Sequence, residues 1–312
     1  MSSTQAQFPK EISKDGAFRR QASAFRGEVK ADPDAVHPAE FGRYHLYVSS
    51  ACPWAHRAII VRKLKGLEDV IGMTIVDPIR DERGWAFTDQ ADPIHGFRFL
   101  AEAYVASDPD FEGRVTVPVL WDKQQGVIVN NESSDILRML DNAFAEWASE
   151  GPSLYPKEQR AEIDALNQRI YDTVNNGVYR AGFATSQEAY EAAVVPLFES
   201  LAWLDEHLRT RRYLLGHAPT EADWRLFTTL VRFDPVYHGH FKCNLKRLTD
   251  FPDLWAYVRD LYQVPGVAET VDMDHIKRHY YVTHPAINPT GVVPLGPELD
   301  FLQPHGREHL SS

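Results

Sequence analysis

The feature that most constrains this chain is a lone cysteine set between the end of a β-type run and a proline-started helix. Tyr44, Leu46 and Val48 alternate with His45 and Tyr47, and the run ends in Ser49, Ser50 and Ala51, the period and ending of a strand. Cys52 comes next, followed by Pro53, a residue that the first turn of a helix tolerates. Residues 54–65 then carry apolar side chains at helical spacing. Cys52 therefore stands at a helix N-terminus, where unpaired backbone N–H groups and the helix dipole stabilise a thiolate. The thiolate is the reactive form, so this placement makes a nucleophile. A free cysteine more often packs as a small hydrophobe; the strand–Cys–Pro–helix context is what favours the reactive role.

The order of elements around that thiol narrows the architecture further. Residues 70–76 read as a second strand, stopped by Pro78. Residues 77–110 form a long insertion rich in aromatics (Trp85, Phe87, Phe97, Phe99), with a helical pattern over 99–106; a connection of that length inside a compact unit is usually functional. Two short strands, 116–121 and 127–130, flank a turn at 123–126, and a helix opens at Ser133 or Ser134 and runs to Phe144. This is the β-α-β…β-β-α order of a thioredoxin-like α/β domain. A Rossmann half is excluded, because no Gly-x-Gly-x-x-Gly follows the first strand. Beyond Gly151 and Pro152 the periodicity is helical over 157–179, 187–209, 220–233, 251–262 and 271–280, which predicts an all-α helical bundle. Thr220, Glu221, Ala222 and Asp223 form a capping box with Asp in the usual Glu position. The expected organisation is an irregular lead-in at 1–40, a thioredoxin-like domain at 41–146, a helical domain at 147–282 and an irregular tail, rich in proline and glycine, at 283–312.

Composition excludes several partners. Lys and Arg number 33 against 44 Asp and Glu, a formal charge of −11, and such a surface repels nucleic acid and anionic lipid. No apolar run reaches the roughly 20 residues that span a bilayer, and the polar N-terminus lacks the apolar stretch of a secretory signal. Two cysteines, Cys52 and Cys243, are too few for a disulfide scaffold and suit a reducing compartment, so the cytoplasm is the expected location. Position 55 is Ala, where a dithiol oxidoreductase has its second cysteine. A mixed disulfide at Cys52 must then be cleared by an external thiol, and free glutathione fits that need.

Two further stretches carry chemistry. Val117 and Pro118 open a strand at the place where a thioredoxin-like domain sets a cis-proline opposite its cysteine; the X–Pro pair alone would not imply it, and an edge-strand trans-proline is the alternative. Asn131, Glu132, Ser133 and Ser134 lead into a helix, where a carboxylate and a hydroxyl can hold the ammonium and carboxylate of a γ-glutamyl group or simply cap the helix. His238, His240 and Cys243 suggest a metal only weakly, since no fourth ligand is evident, and no metal is expected. His56 is expected to pack along its helix. Arg57, Arg62, Lys63 and Lys65 read as a solvated helix face.

These stretches together resemble the glutathione transferase superfamily. More narrowly, residues 52–57, 116–122, 130–134, 239–244, 279–281 and 287–291 resemble the glutathionyl-hydroquinone reductases, its xi class. The resemblance runs from about residue 40 to residue 300 of the chain. It implies a homodimer that uses glutathione as co-substrate and acts on glutathionylated aromatic compounds. It also implies that Cys52 attacks the conjugate sulfur and that a second glutathione then clears the Cys52 mixed disulfide. Trp85 would lie along the bound glutathione and Arg114 would pair with one of its carboxylates. Val117, with Pro118, would bond its backbone, and Glu132 with Ser133 would hold its γ-glutamyl end. Tyr179 and Tyr280 would serve the departing ring, with Tyr281 the near confusion and Tyr171 a weaker candidate. The alternatives are an omega-like thiol transferase or dehydroascorbate reductase, which would use the same cysteine, and a non-catalytic glutathione-binding module.

Overall fold

In the computed structural model, which describes residues 11–87 and 91–311, the run that starts at Tyr44 becomes β1 (Tyr44–Val48), an inner strand of a four-stranded sheet. The first ten residues of the lead-in and positions 88–90 of the long insertion lie outside the described residues. The sheet order is β2-β1-β3-β4, with β2 (Gly72–Ile75) parallel to β1, β3 (Val119–Asp122) antiparallel to β1, and β4 (Val127–Asn130) antiparallel to β3. Leu46 lies opposite both Met73 and Leu120. All of β1 is buried, which is why its apolar and polar-tipped positions are alike bulky: Tyr47, for example, keeps its hydroxyl satisfied by donating to Asp92 Oδ1 at 2.8 Å. β2 and β3 begin two and three residues later than the runs starting at 70 and 116 suggest. The runs begin before the first ladder pairing, so the pattern overshoots pairing at the strand starts.

The parallel β1–β2 pair requires a crossover, supplied by α1 (Pro53–Leu64). α2 (Leu100–Ser107) follows the insertion, and α3 (Ser133–Asn142) packs against α1, burying Ile136, Leu137, Met139 and Leu140. Because α1 is covered nearly all round, its basic residues do not form the solvated face that their spacing suggests. Arg57 is only 1% exposed. Lys65 is buried and reaches Asp141 Oδ1 at 2.6 Å and the Pro152 carbonyl at 3.1 Å. Arg62 donates to the Ile71 carbonyl at 2.6 Å. Cations enter a packed interior only when such partners meet them, and those partners lie too far along the chain for local charge spacing to reveal.

The sheet's outer edge does not stay open. Gly27 N–H donates to the Val129 carbonyl of β4 at 2.8 Å, and Asn131 N–H donates to the Phe25 carbonyl at 3.1 Å. The lead-in thus pairs along the edge as a protecting strap. A Cβ at position 27 would sit 2.7 Å from the Val129 oxygen, so only glycine allows this approach.

Compactness divides the chain into two units: residues 21–152 with 270–279, and residues 11–20 with 153–269 and 280–311. The second is helical. The stretch 157–179 is broken into α4 (Arg160–Ile170), a π turn (Tyr171–Asn175) and α5 (Gly177–Gly182). Asn175 sits at the break and donates to the Arg225 carbonyl at 2.9 Å and Thr229 Oγ1 at 2.7 Å, and Gly177 is a poor helix former. α6 (Gln187–Leu208) is capped by Ser186. α7 (Glu221–Leu230) carries the capping box of Thr220 and Asp223, and it gives way to a second π turn, Phe233–Tyr237, where Pro235 has no N–H to continue the helix. α8 (Pro252–Tyr262) follows, and α9 (Met273–Thr283) gives residues 273–279 to the first unit and 280–283 to the second. The tail is irregular apart from a 3-10 turn at Glu308–Ser311. It is fastened by buried Arg307, which donates to the Leu208 carbonyl at 2.8 Å and the Arg212 carbonyl at 3.0 Å. Among the described residues no helix is long and apolar enough to cross a membrane.

Candidate functional site

Cys52 is the N-cap of α1, in extended conformation, with its N–H donating to the Ser49 carbonyl at 3.1 Å and its own carbonyl accepting from His56 at 2.9 Å. Its half-buried thiol lies 3.6 Å from the Val117 carbonyl oxygen. The Val117–Pro118 peptide is cis. The cis bond is the one expected from where this pair falls in the strand order, and Cys52 stands at the helix start that its neighbours in sequence imply. His56 is fully buried and bonds Thr270 Oγ1 at 2.8 Å, so it packs along the helix. Both cysteines are free, and Cys243, in the second unit, is fully covered. Burial pushes its thiol well up from the ordinary value, so Cys243 stays protonated and inert.

Glu132 caps α3: its Oε1 accepts from Ser134 N–H at 3.1 Å and from the Ser134 hydroxyl at 2.9 Å, and its Oε2 accepts from Ser23 at 2.9 Å. Burial pushes this carboxyl up. The Ser134 N–H, the Ser23 and Ser134 hydroxyls and the positive charge of Arg57 outweigh it, and hold Glu132 below its ordinary range. Arg57 also donates to the Ser133 hydroxyl at 3.2 Å, with its guanidinium 4.5 Å from the Trp54 ring centre. The capping reading of this helix start therefore holds, with Glu132 as the cap. The result is an ionised carboxylate beside three hydroxyls, those of Ser23, Ser133 and Ser134.

Trp85 is buried within the long insertion, stacked on His279 with centroids 5.0 Å apart and the Arg80 guanidinium 5.1 Å from its ring centre. Arg114 is half-buried in the approach to β3. That approach is fixed by Tyr104, whose hydroxyl donates to the Thr116 carbonyl at 2.8 Å and accepts from Asn131 at 3.1 Å. The Val117 stretch and the Glu132 stretch are thereby tied to one buried phenol.

Within the second unit Tyr179 and Tyr280 meet, their hydroxyls 2.5 Å apart. A third phenol joins them: Tyr237 Oη lies 3.1 Å from Tyr280 Oη. Sequence reasoning missed Tyr237, although it stands two residues before the 239–244 stretch that carries part of the resemblance. It also missed Arg20, whose guanidinium lies 4.8 Å from the Tyr179 ring centre. Burial above all, then the neighbouring phenols, raise Tyr280 and Tyr237 well above the ordinary tyrosine value. Tyr281 instead donates to the Pro235 carbonyl at 3.2 Å, and Tyr171 lies in the first π turn. His240 pairs with His284 at 3.1 Å. Among the described residues no group of three or more His, Cys, Asp or Glu is placed to hold a metal.

Comparison with known proteins adds an independent line. Residues 51–143 match the family model described as Glutathione S-transferase, N-terminal domain, and residues 187–260 match Glutathione S-transferase, C-terminal domain. The chain is 53% identical to glutathionyl-hydroquinone reductase YqjG of Escherichia coli, over 94% of this chain and 93% of that protein. It is 52% identical to glutathionyl-hydroquinone reductase PcpF of Sphingobium chlorophenolicum, over 91% of each. The glutathione-bound structure of the E. coli protein superposes with a TM-score of 0.88, covering 91% of this chain and 96% of that one.

Proposed function

The chain belongs to the glutathione S-transferase family, among its glutathionyl-hydroquinone reductases, and from that premise we propose how its own residues carry out the reaction. The enzyme reduces glutathionyl-hydroquinones with glutathione as co-substrate. The Cys52 thiolate attacks the sulfur of the conjugate; an S–S bond forms, the ring carbon–sulfur bond breaks, and the ring carbon takes up a proton. A second glutathione thiolate attacks the Cys52–glutathione disulfide, releases glutathione disulfide and restores Cys52. The proton that glutathione loses balances the one that the ring gains, and the ring is reduced as the conjugate's thioether sulfur and the thiol of the second glutathione are oxidised to a disulfide. One observation supports this cycle above the others: the thiol at the start of α1, beside the Val117 carbonyl, has Ala at position 55 in place of a resolving cysteine.

Val117 and Pro118 would bond the glutathione backbone, Arg114 would pair with a carboxylate, and Trp85 would lie along the tripeptide. Glu132 and Ser133 would hold the γ-glutamyl ammonium and carboxylate. Tyr179 and Tyr280 would donate hydrogen bonds or the proton as the ring departs. A cycle that consumes free glutathione belongs in a reducing compartment, so we place the enzyme in the cytoplasm, as a homodimer in keeping with its class.

Wild-type enzyme supplied with a glutathionyl-hydroquinone and glutathione is expected to release one hydroquinone and one glutathione disulfide per conjugate, read by chromatography. No hydroquinone, with mixed-disulfide reduction intact, would put an omega-like activity in its place. Glu132→Gln keeps an oxygen acceptor for the α3 cap but removes the charge. It is expected to raise KM for glutathione about ten- to a hundredfold, as for a lost charge-assisted hydrogen bond, with kcat little changed. In the wild type, Glu132 loses its charge only as pH falls through a value held below the ordinary one. KM for glutathione should therefore stay flat from pH 7 down to about 5 and rise only in stronger acid.

A further inference from the structure

Trp85 poses a positioning problem. It sits on an insertion without regular structure between β2 and α2, and side chains on loops hold a binding geometry only when neighbouring groups lock them. Part of the insertion is tied down at a distance from Trp85: Tyr47 holds Asp92, and Trp121 Nε1–H donates to His95 Nε2 at 3.0 Å. Nearer to Trp85, Asp77 N–H donates to the Ala86 carbonyl at 2.8 Å and closes residues 77–86 into a lobe. His279, on α9, meets that lobe twice. Its Nδ1 lies 2.7 Å from the Pro78 carbonyl oxygen, and its ring stacks on Trp85 at an interplanar angle of 19°. A carbonyl only accepts, so Nδ1 carries the hydrogen. That bond fixes the plane of the imidazole, and the stack transfers this plane to the indole.

We propose that His279 is a positioning residue for glutathione binding, which clamps the start of the insertion and the Trp85 ring at once and so sets the face that Trp85 offers to the tripeptide. The proposal rests on Trp85 lining bound glutathione. It assigns His279 no contact with glutathione, and no part in thiol chemistry.

The test is a double-mutant cycle between His279→Ala and Trp85→Ala, read as glutathione affinity by titration calorimetry, with thermal unfolding midpoints recorded for every variant. Trp85→Ala is expected to weaken binding, and His279→Ala to weaken it about five- to tenfold, the span that one aromatic pair supports. In the Trp85→Ala background His279→Ala should cost nothing further, because a residue acting through another is silent once that other is gone. His279→Phe keeps a ring to stack but loses the bond to the Pro78 carbonyl, and should recover part of the alanine variant's loss. A general loss of stability would weaken binding in both backgrounds alike and would not be rescued in this way. His279→Asn, which keeps an N–H donor but no ring, replaces the alanine variant in the cycle should that one fail to fold. If Trp85→Ala weakens binding while His279→Ala does not, or adds its full effect in the double variant, the clamp is wrong and Trp85 keeps its place. If Trp85→Ala leaves affinity unchanged, the role of Trp85 falls first and the clamp with it.

Discussion

Cys52→Ser is expected to lower hydroquinone release at least about a thousandfold, the scale on which loss of a covalent nucleophile falls, while leaving the fold intact. The side chains are close in shape, and the thiol's contact with the Val117 carbonyl at 3.6 Å is weak, so its loss costs the fold little. A serine hydroxyl stays protonated at neutral pH, and an oxygen in its place cannot form the disulfide that the second glutathione must attack. Initial rates with a glutathionyl-hydroquinone and glutathione measure the first consequence. Intact-protein mass spectrometry after incubation with the conjugate alone measures the second: the wild type gains one glutathionyl group and the variant none. Buried Cys243, held protonated, is not expected to take its place. Turnover by the variant at more than a few per cent of the wild-type rate would remove Cys52 from the reaction.

What was legible in the sequence was what is local or fixed by strand order. The strand, Cys52 and Pro53 are contiguous, so their chemistry follows from a few adjacent residues, and the cis peptide at Val117 follows from where that pair falls in the strand sequence. The arrangement of Arg57 was not legible. Its helix neighbours Arg62 and Lys63 gave it the look of a surface charge, yet its hydroxyl partner Ser133 stands 76 residues away on an element whose docking no periodicity announces. The same holds for Trp85 and His279, joined by a stack of two flat rings from distant stretches. Tyr237 was hidden differently. It ends a π turn that begins where a helical pattern was read to run to 233, and the wider turn changes the direction of every side chain after Pro235. Helix ends beside the two π turns slipped for that reason, while α6 and α8, with clean periods and a serine cap or a leading proline, fell within a residue of expectation.

Tyr280→Phe should separate the two halves of the reaction. The Tyr280 hydroxyl stands between those of Tyr179 and Tyr237, and burial, with the neighbouring phenols, keeps it protonated far above neutral pH. In the proposed cycle it would therefore serve as a donor, either directly or by orienting Tyr179. Breaking the ring carbon–sulfur bond requires a proton at carbon, whereas displacing a thiolate from an ordinary mixed disulfide does not. The variant is therefore expected to lose about ten- to a hundredfold in turnover of a glutathionyl-hydroquinone, the scale of a lost proton or hydrogen-bond donor. Reduction of a small glutathionylated alkyl disulfide should stay within about twofold of wild type, since only the chemistry at Cys52 is then in play. Packing alone cannot give that split, because phenylalanine keeps the ring that meets Tyr237 and Phe241 edge-on, each with centroids 5.6 Å away. The sign of the pH dependence is also set: a phenol held protonated well above its ordinary value contributes no titration between about pH 6 and 9, so the variant's profile over that range should parallel the wild type's at a lower level. Equal losses on both substrates would make the cluster a support for glutathione binding or for the fold, and no loss on either would reduce Tyr280 to core packing.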